Sequence, residues 1–244
     1  MLSTFSVKIA AMLLLLPASV LAQERAQIDK LTGAESAYIQ CLDSAAGEQI
    51  PVESPLAEKL EAILGSCSEL RQSWYDSWTD VTQSQFEEAA KKKGADDFDL
   101  IIAATIADQY LAYQFGFAHS NLKFSVAHAL FKASENGASQ EDVGALQQRM
   151  KVWRDCAVGT IANAPDFVSA LAGDDQNIRP KINWAVRQCS EKEQDLKQAI
   201  RTFVAGQYPN STNQDTTTFA DVVHEKNVAT VKADIARALA QSSG

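Results

Sequence analysis

"CSELRQ", Cys67 to Gln72, and "CSEKEQ", Cys189 to Gln194, share four of six letters in the same order, 189 − 67 = 122 residues apart. Each has a second cysteine upstream. Each upstream cysteine follows an aromatic residue by three positions, Tyr38 before Cys41 and Trp153 before Cys156. On a helix that spacing puts aromatic and cysteine on one face. The order aromatic-x-x-Cys, turn, Cys-Ser-Glu therefore occurs twice, with offsets of 156 − 41 = 115 and 189 − 67 = 122. Internal similarity of this kind points to a copied supersecondary unit. It predicts two helical hairpins, at 28–81 and 142–204.

In each hairpin one cysteine lies on the inward stripe of each helix. Antiparallel helices pack about 8–10 Å apart, and a disulfide wants its Cα atoms about 5.5 Å apart. Small neighbours would let the helices pinch together: Ala45, Gly65 and Ser66 in the first copy, Ala157 and Gly159 in the second. The bridges expected are Cys41–Cys67 and Cys156–Cys189, although four cysteines allow three pairings. The chain has no CxxC, which disfavours a thioredoxin-type redox pair and a zinc ribbon, and no CxxCH for covalent haem.

Outward from the cysteines the apolar periodicity is helical almost everywhere. Leu31, Ala34, Tyr38, Cys41 and Ala45 step by three and four across 28–46. Ser54 and Pro55 read as an N-cap and first helical residue. Leu56, Leu60, Ile63, Cys67, Leu70, Trp74, Trp78 and Val81 then make one stripe on one long helix, ending at "KKKG", Lys91 to Gly94. The segment from Phe98 to Ala118 is apolar on nearly every face, as a helix buried on all sides would be. Further helices are expected over 121–135, from a capping box at Ser139 to Ile161, briefly after Pro165, from about Pro180 to Phe203, and over 219–240. "YPNSTNQDTTT" reads as a loop. The fold class is all-α, a bundle of about seven or eight helices built around two disulfide-linked hairpins.

Residues 1–22 have the form of an export signal: one charge at Lys8, an apolar run, and small residues Val20 and Ala22 before Gln23. The remainder, 23–241, is expected to be a single helical domain that does not insert into a membrane. Disulfides and a signal imply a periplasmic or secreted protein. The chain carries a net charge of −9. That disfavours nucleic acid as a partner and favours basic proteins.

"YIQCL", Tyr38 to Leu42, followed 26 residues after its cysteine by "CSE", resembles uncharacterised secreted proteobacterial proteins with a Tyr-x-x-Cys-Leu helix and a second cysteine. "WRDC", Trp153 to Cys156, is more loosely similar to periplasmic helical proteins of the lysozyme-inhibitor type. The resemblance implies a secreted helical fold. It assigns no functional residue.

The chemistry on offer is sparse. There is no G-x-S-x-G, no P-loop, no G-x-G-x-x-G and no H-E-x-x-H. The histidines are His119, His128 and His224; the first two, nine residues apart, should face opposite ways on a continuous helix. No metal and no cofactor is expected. Asp108, in the most apolar segment, is the one carboxylate expected to be buried and hence a possible polar site. Trp74 and Trp78 share a face and form a possible aromatic groove. The reading that follows is an exported, non-enzymatic helical protein acting by binding, with an unidentified protein partner. The alternatives are a hydrolase with a site near Asp108, or a small-molecule binder with a pocket between helices.

Overall fold

A computed structural model of the chain describes residues 18–47, 54–92, 94, 97–131, 140–164, 178–208 and 211–242. Among them are eight helices and no strand: α1 (Ala18–Gly47), α2 (Leu56–Ser66), α3 (Ser68–Lys92), α4 (Asp97–Phe131), α5 (Gln140–Asn163), α6 (Ile178–Gln188), α7 (Ser190–Gln207) and α8 (Asn213–Ser242). The all-α class is as the periodicity predicts. Both bridges form as predicted, Cys41–Cys67 with Cα atoms 5.9 Å apart and Cys156–Cys189 with Cα atoms 6.1 Å apart.

The elements differ from the sequence reading in ways that have local causes. The long helix expected from Leu56 is broken at Cys67, and the one expected from Pro180 is broken at Cys189. The two cysteines leave helical geometry alike, at φ −104°, ψ 15° and φ −111°, ψ 21°. Each carbonyl at once accepts the first bond of the next helix, from Arg71 N–H and Glu193 N–H, both at 3.0 Å. Neither glycine is needed for the hairpins to close. A Cβ on Gly65 would meet open space, and one on Gly159 would make only an ordinary contact with Asn163.

Conversely, the two helices expected over 98–118 and 121–135 are one. Ser120 Oγ and Asn121 Nδ2 both donate back to the Phe117 carbonyl, so the polar residues stay within the helix. Much of α4 is only half-buried, not enclosed on all sides. Of the stretch expected as a loop, Tyr208, Ser211 and Thr212 are non-helical, but residues 213–218 are already helix. Thr212 Oγ1 accepts from Asp215 N–H and caps α8, which begins at Asn213, 219 − 213 = 6 residues before the expected Phe219. The α1 helix begins at Ala18, upstream of the expected Ile28. At "KKKG", α3 ends as predicted. Gly94 takes a left-handed φ of 79° and its N–H bonds to the Lys91 carbonyl. The expected capping box at Ser139 and the helix after Pro165 lie outside the described residues.

Two sets of helices match. The short helices α2 and α6 are each 11 residues long and each ends at its disulfide cysteine. Along them and onward, an offset of 122 pairs Leu56 with Ile178, Leu60 with Ile182, Ile63 with Ala185, Cys67 with Cys189, and Trp74 with Leu196. All ten of those residues are buried. The correspondence reaches a third helix. His119 of α4 stacks on Tyr38, and His224 of α8 stacks on Trp153. Each imidazole thus covers the aromatic residue three before the first cysteine. Between the two sets, α4 and α8 pack along one another in the most extensive helix pair. Gln114, buried in that seam, donates to the Ala233 carbonyl and accepts from Arg237.

Each set also finishes the other. Ser54 is not the cap of α2, as the sequence suggested; no side chain of its own segment caps it. The Leu56 N–H donates instead to Asp215 Oδ1 of α8, 2.7 Å away and 159 residues later. Reciprocally, the Ile178 N–H at the start of α6 donates to Gln109 Oε1 of α4 at 2.8 Å. Gln109 precedes its histidine by 119 − 109 = 10 residues and Asp215 by 224 − 215 = 9. The orphan donors at two helix starts are satisfied across the α4–α8 seam.

Candidate functional site

Asp108 is exposed, not buried as the apolar surroundings suggested. Ala107 and Leu111 take the inward face of α4, and a helix turn of 100° per residue leaves position 108 outside. Its Oδ1 accepts from Gln83 Nε2 of α3 at 2.8 Å. Around it α3, α4 and α6 form an open cleft of about 580 Å³. Asp76, Asp80 and Asp108 line it with Tyr75, Thr79 and a single cation, Arg179. Each carboxylate is held by a neighbour. Asp76 accepts from Gln72 at 2.8 Å, and Asp80 pairs with Lys30 of α1 at 2.6 Å. These are exposed contacts that a competing partner can displace at little cost.

Trp74 lines no groove. It is wholly buried and packs between Tyr38, at 5.5 Å between ring centroids, and Phe115, at 4.7 Å. Trp78 is half-buried against the same core. Tryptophan at helical spacing is here core.

Sequence reasoning set the histidines aside, yet two of them sit at equivalent places in the two sets. His119 Nε2 and Tyr38 Oη are hydrogen-bonded at 3.1 Å. Burial pushes the imidazole down to about 4, with the nearby Arg71 and Lys123 cations adding to the effect and Glu225 opposing it. Burial likewise pushes the Tyr38 phenol up to about 12. At neutral pH both are uncharged. In the second set Glu193 takes the place of Arg71, and its Oε1 lies 3.5 Å from His224 Nε2. Burial lowers His224 and raises Glu193, so both tend to the neutral form. No spacing in the sequence relates the two histidines, which lie 119 − 67 = 52 and 224 − 189 = 35 residues after the second cysteines of their sets.

Among the described residues no group of three His, Cys, Asp or Glu side chains is placed to hold a metal ion. All four cysteines are in bridges. No described helix is long and apolar enough to cross a membrane. Fold and bridges define an all-α protein braced by two disulfides within its chain, which fits export. No family model, no curated protein and no solved structure matches this chain.

Proposed function

We propose that the chain is an exported, non-enzymatic helical protein that acts by binding a basic protein partner in the periplasm or outside the cell. The signal-like residues 1–22 and the two bridges support export. The Tyr-x-x-Cys-Leu resemblance to secreted helical proteins accords with it. The matched helix sets support descent from a duplicated three-helix unit.

The observation that carries the binding reading is the cleft between α3, α4 and α6. Three carboxylates converge on one opening in a chain of net charge −9. Such a surface attracts cationic groups and repels anionic ones. The test is affinity capture from the native extracellular or periplasmic fraction, comparing the mature protein with its Asp76→Lys/Asp108→Lys variant. A basic protein retained by the first, lost with the second and eluted by salt supports the reading. Turnover of a hydrolase substrate that Asp108→Asn abolishes without loss of fold would replace it with an enzyme.

A further inference from the structure

On the other side of α4 a second groove, of about 570 Å³, runs between α2, the start of α3, α4 and α8. Leu60 and Val222 form its floor and Leu64 its wall. Five charged residues line it: Glu61, Arg71, Lys123, Asp221 and Glu225. Three of these are already matched. Lys123 pairs with Glu225 at 2.5 Å, and Asp221 is held by Arg201 at 3.3 Å and Lys197 at 3.8 Å. Arg71 and Glu61 are exposed, and neither makes a hydrogen bond or ion pair to a described residue. Within the lining itself two cations, Arg71 and Lys123, meet three carboxylates, Glu61, Asp221 and Glu225, or 2 − 3 = −1. With Lys123 matched to Glu225, and Asp221 held from outside the groove by Arg201 and Lys197, Arg71 and Glu61 are its two uncommitted charges.

The second helix set supplies an internal reference for Arg71. Its counterpart, 122 residues on, is Glu193, which turns to the imidazole of its own set, 3.5 Å from His224 Nε2. In the first set the imidazole bonds to Tyr38 instead. The guanidinium at position 71 therefore acts on its imidazole through charge alone, without the close contact its counterpart makes. It stands at the wall of an apolar-floored groove with five donors unengaged.

We propose that this groove binds a single-chain amphiphile with an anionic head, the head meeting Arg71 and the apolar body lying over Leu60, Leu64 and Val222. A planar guanidinium suits a carboxylate bidentately. The volume falls within the range of small-molecule pockets, about 300–1,000 Å³. Glu61 sits on the same groove and opposes an anion, which makes it a second handle on the sign of the ligand. The site is separate from the acidic cleft, and neither reading depends on the other.

Isothermal titration of the mature, oxidised protein with sodium decanoate tests it, with decan-1-ol as the uncharged counterpart. Decanoate binds at one site and decanol binds at least about tenfold more weakly, as expected when a charge-assisted bond is lost. Arg71→Ala weakens decanoate about tenfold or more, while Glu61→Gln tightens it about two- to fivefold. Arg179→Ala, in the acidic cleft, changes nothing. Arg71→Glu recreates the arrangement of the second set; it abolishes decanoate binding and raises the His119 titration, followed by NMR, above about 4. No decanoate binding, equal binding of decanol, indifference to Arg71→Ala, or weakening by Glu61→Gln each overturns the proposal. Loss of binding in Arg71→Glu with an unmoved His119 would sink the comparison between the sets while leaving the site.

Discussion

Replacing Asp215 by alanine should cost about twice as much stability as replacing Gln109, although each side chain accepts one backbone N–H. The Leu56 N–H bond to Asp215 Oδ1 and the Ile178 N–H bond to Gln109 Oε1 are of similar length, 2.7 and 2.8 Å. A side-chain cap is worth about 1 kcal/mol. Gln109 is uncharged and lies mid-helix in α4, so its loss should cost about 1 kcal/mol and no more. Asp215 is an anion in the first turn of α8 and at the start of α2. Each helix start adds about 0.5 kcal/mol to a nearby negative charge, which brings Asp215→Ala to about 2 kcal/mol. Asp215→Asn keeps the acceptor and loses the charge, for about 1 kcal/mol. Urea unfolding at low salt and at about 1 M salt separates the parts. The charge contribution should fade with salt and the Gln109 effect should not. If Asp215→Ala lies within about 0.3 kcal/mol of wild type, the α4–α8 cross-capping does not hold the two helix sets together as described.

The two bridges close loops with sequence separations of 26 and 33 residues. The chain-entropy relation then gives about 3.5 and about 3.7 kcal/mol. Cys41→Ala/Cys67→Ala and Cys156→Ala/Cys189→Ala should therefore be nearly equal in urea unfolding; a difference above about 2 kcal/mol would refute the equivalence of the two hairpins. His119, free at about 6.5 when unfolded, is held at about 4 in the fold. The unfolded chain binds its proton first, so the stability from neutral His119 is complete above about 6.5 and is lost as pH falls toward 4, by at most about 3 kcal/mol. His119→Gln, which can still bond Tyr38, should flatten the stability profile in that window; an unchanged acid slope counts against the burial of the ring. Asp108→Asn should change stability by less than about 0.5 kcal/mol, since the carboxylate is exposed and the amide can still accept from Gln83. A larger loss by thermal melt would contradict its placement at the mouth of the cleft.

Helical class and bridges were legible because both rest on periodicity. Cys41 and Cys67 fall on apolar stripes three and four residues from their neighbours, and that spacing alone aims them inward. The break at Cys67 was not legible. An unbroken stripe from Leu56 to Val81 reads the same whether or not the backbone pauses for one residue, although Leu70, three residues past the pause, is left exposed. The cap of α2 was out of reach for another reason. Ser54-Pro55 is a good local signal, but the donor it should have met went to Asp215, 159 residues away. Tertiary partners of that kind leave no local trace. Thr212-x-x-Asp215, in contrast, is an ordinary start signal that the polar composition of the segment concealed. At the candidate sites, an apolar helix suggested that Asp108 was buried, when its immediate neighbours Ala107 and Leu111 already claimed the inner face. The His119–Tyr38 pair needed three-dimensional knowledge, because 81 residues separate the partners.

The most direct measurement is peptide mapping, without reduction, of the protein recovered after export by its own cell. Two closed hairpins, Cys41 joined to Cys67 and Cys156 to Cys189, should account for every thiol. A peptide joining Cys41 to Cys156 or Cys189, or four alkylatable cysteines, would contradict the paired units on which the fold and its surfaces depend.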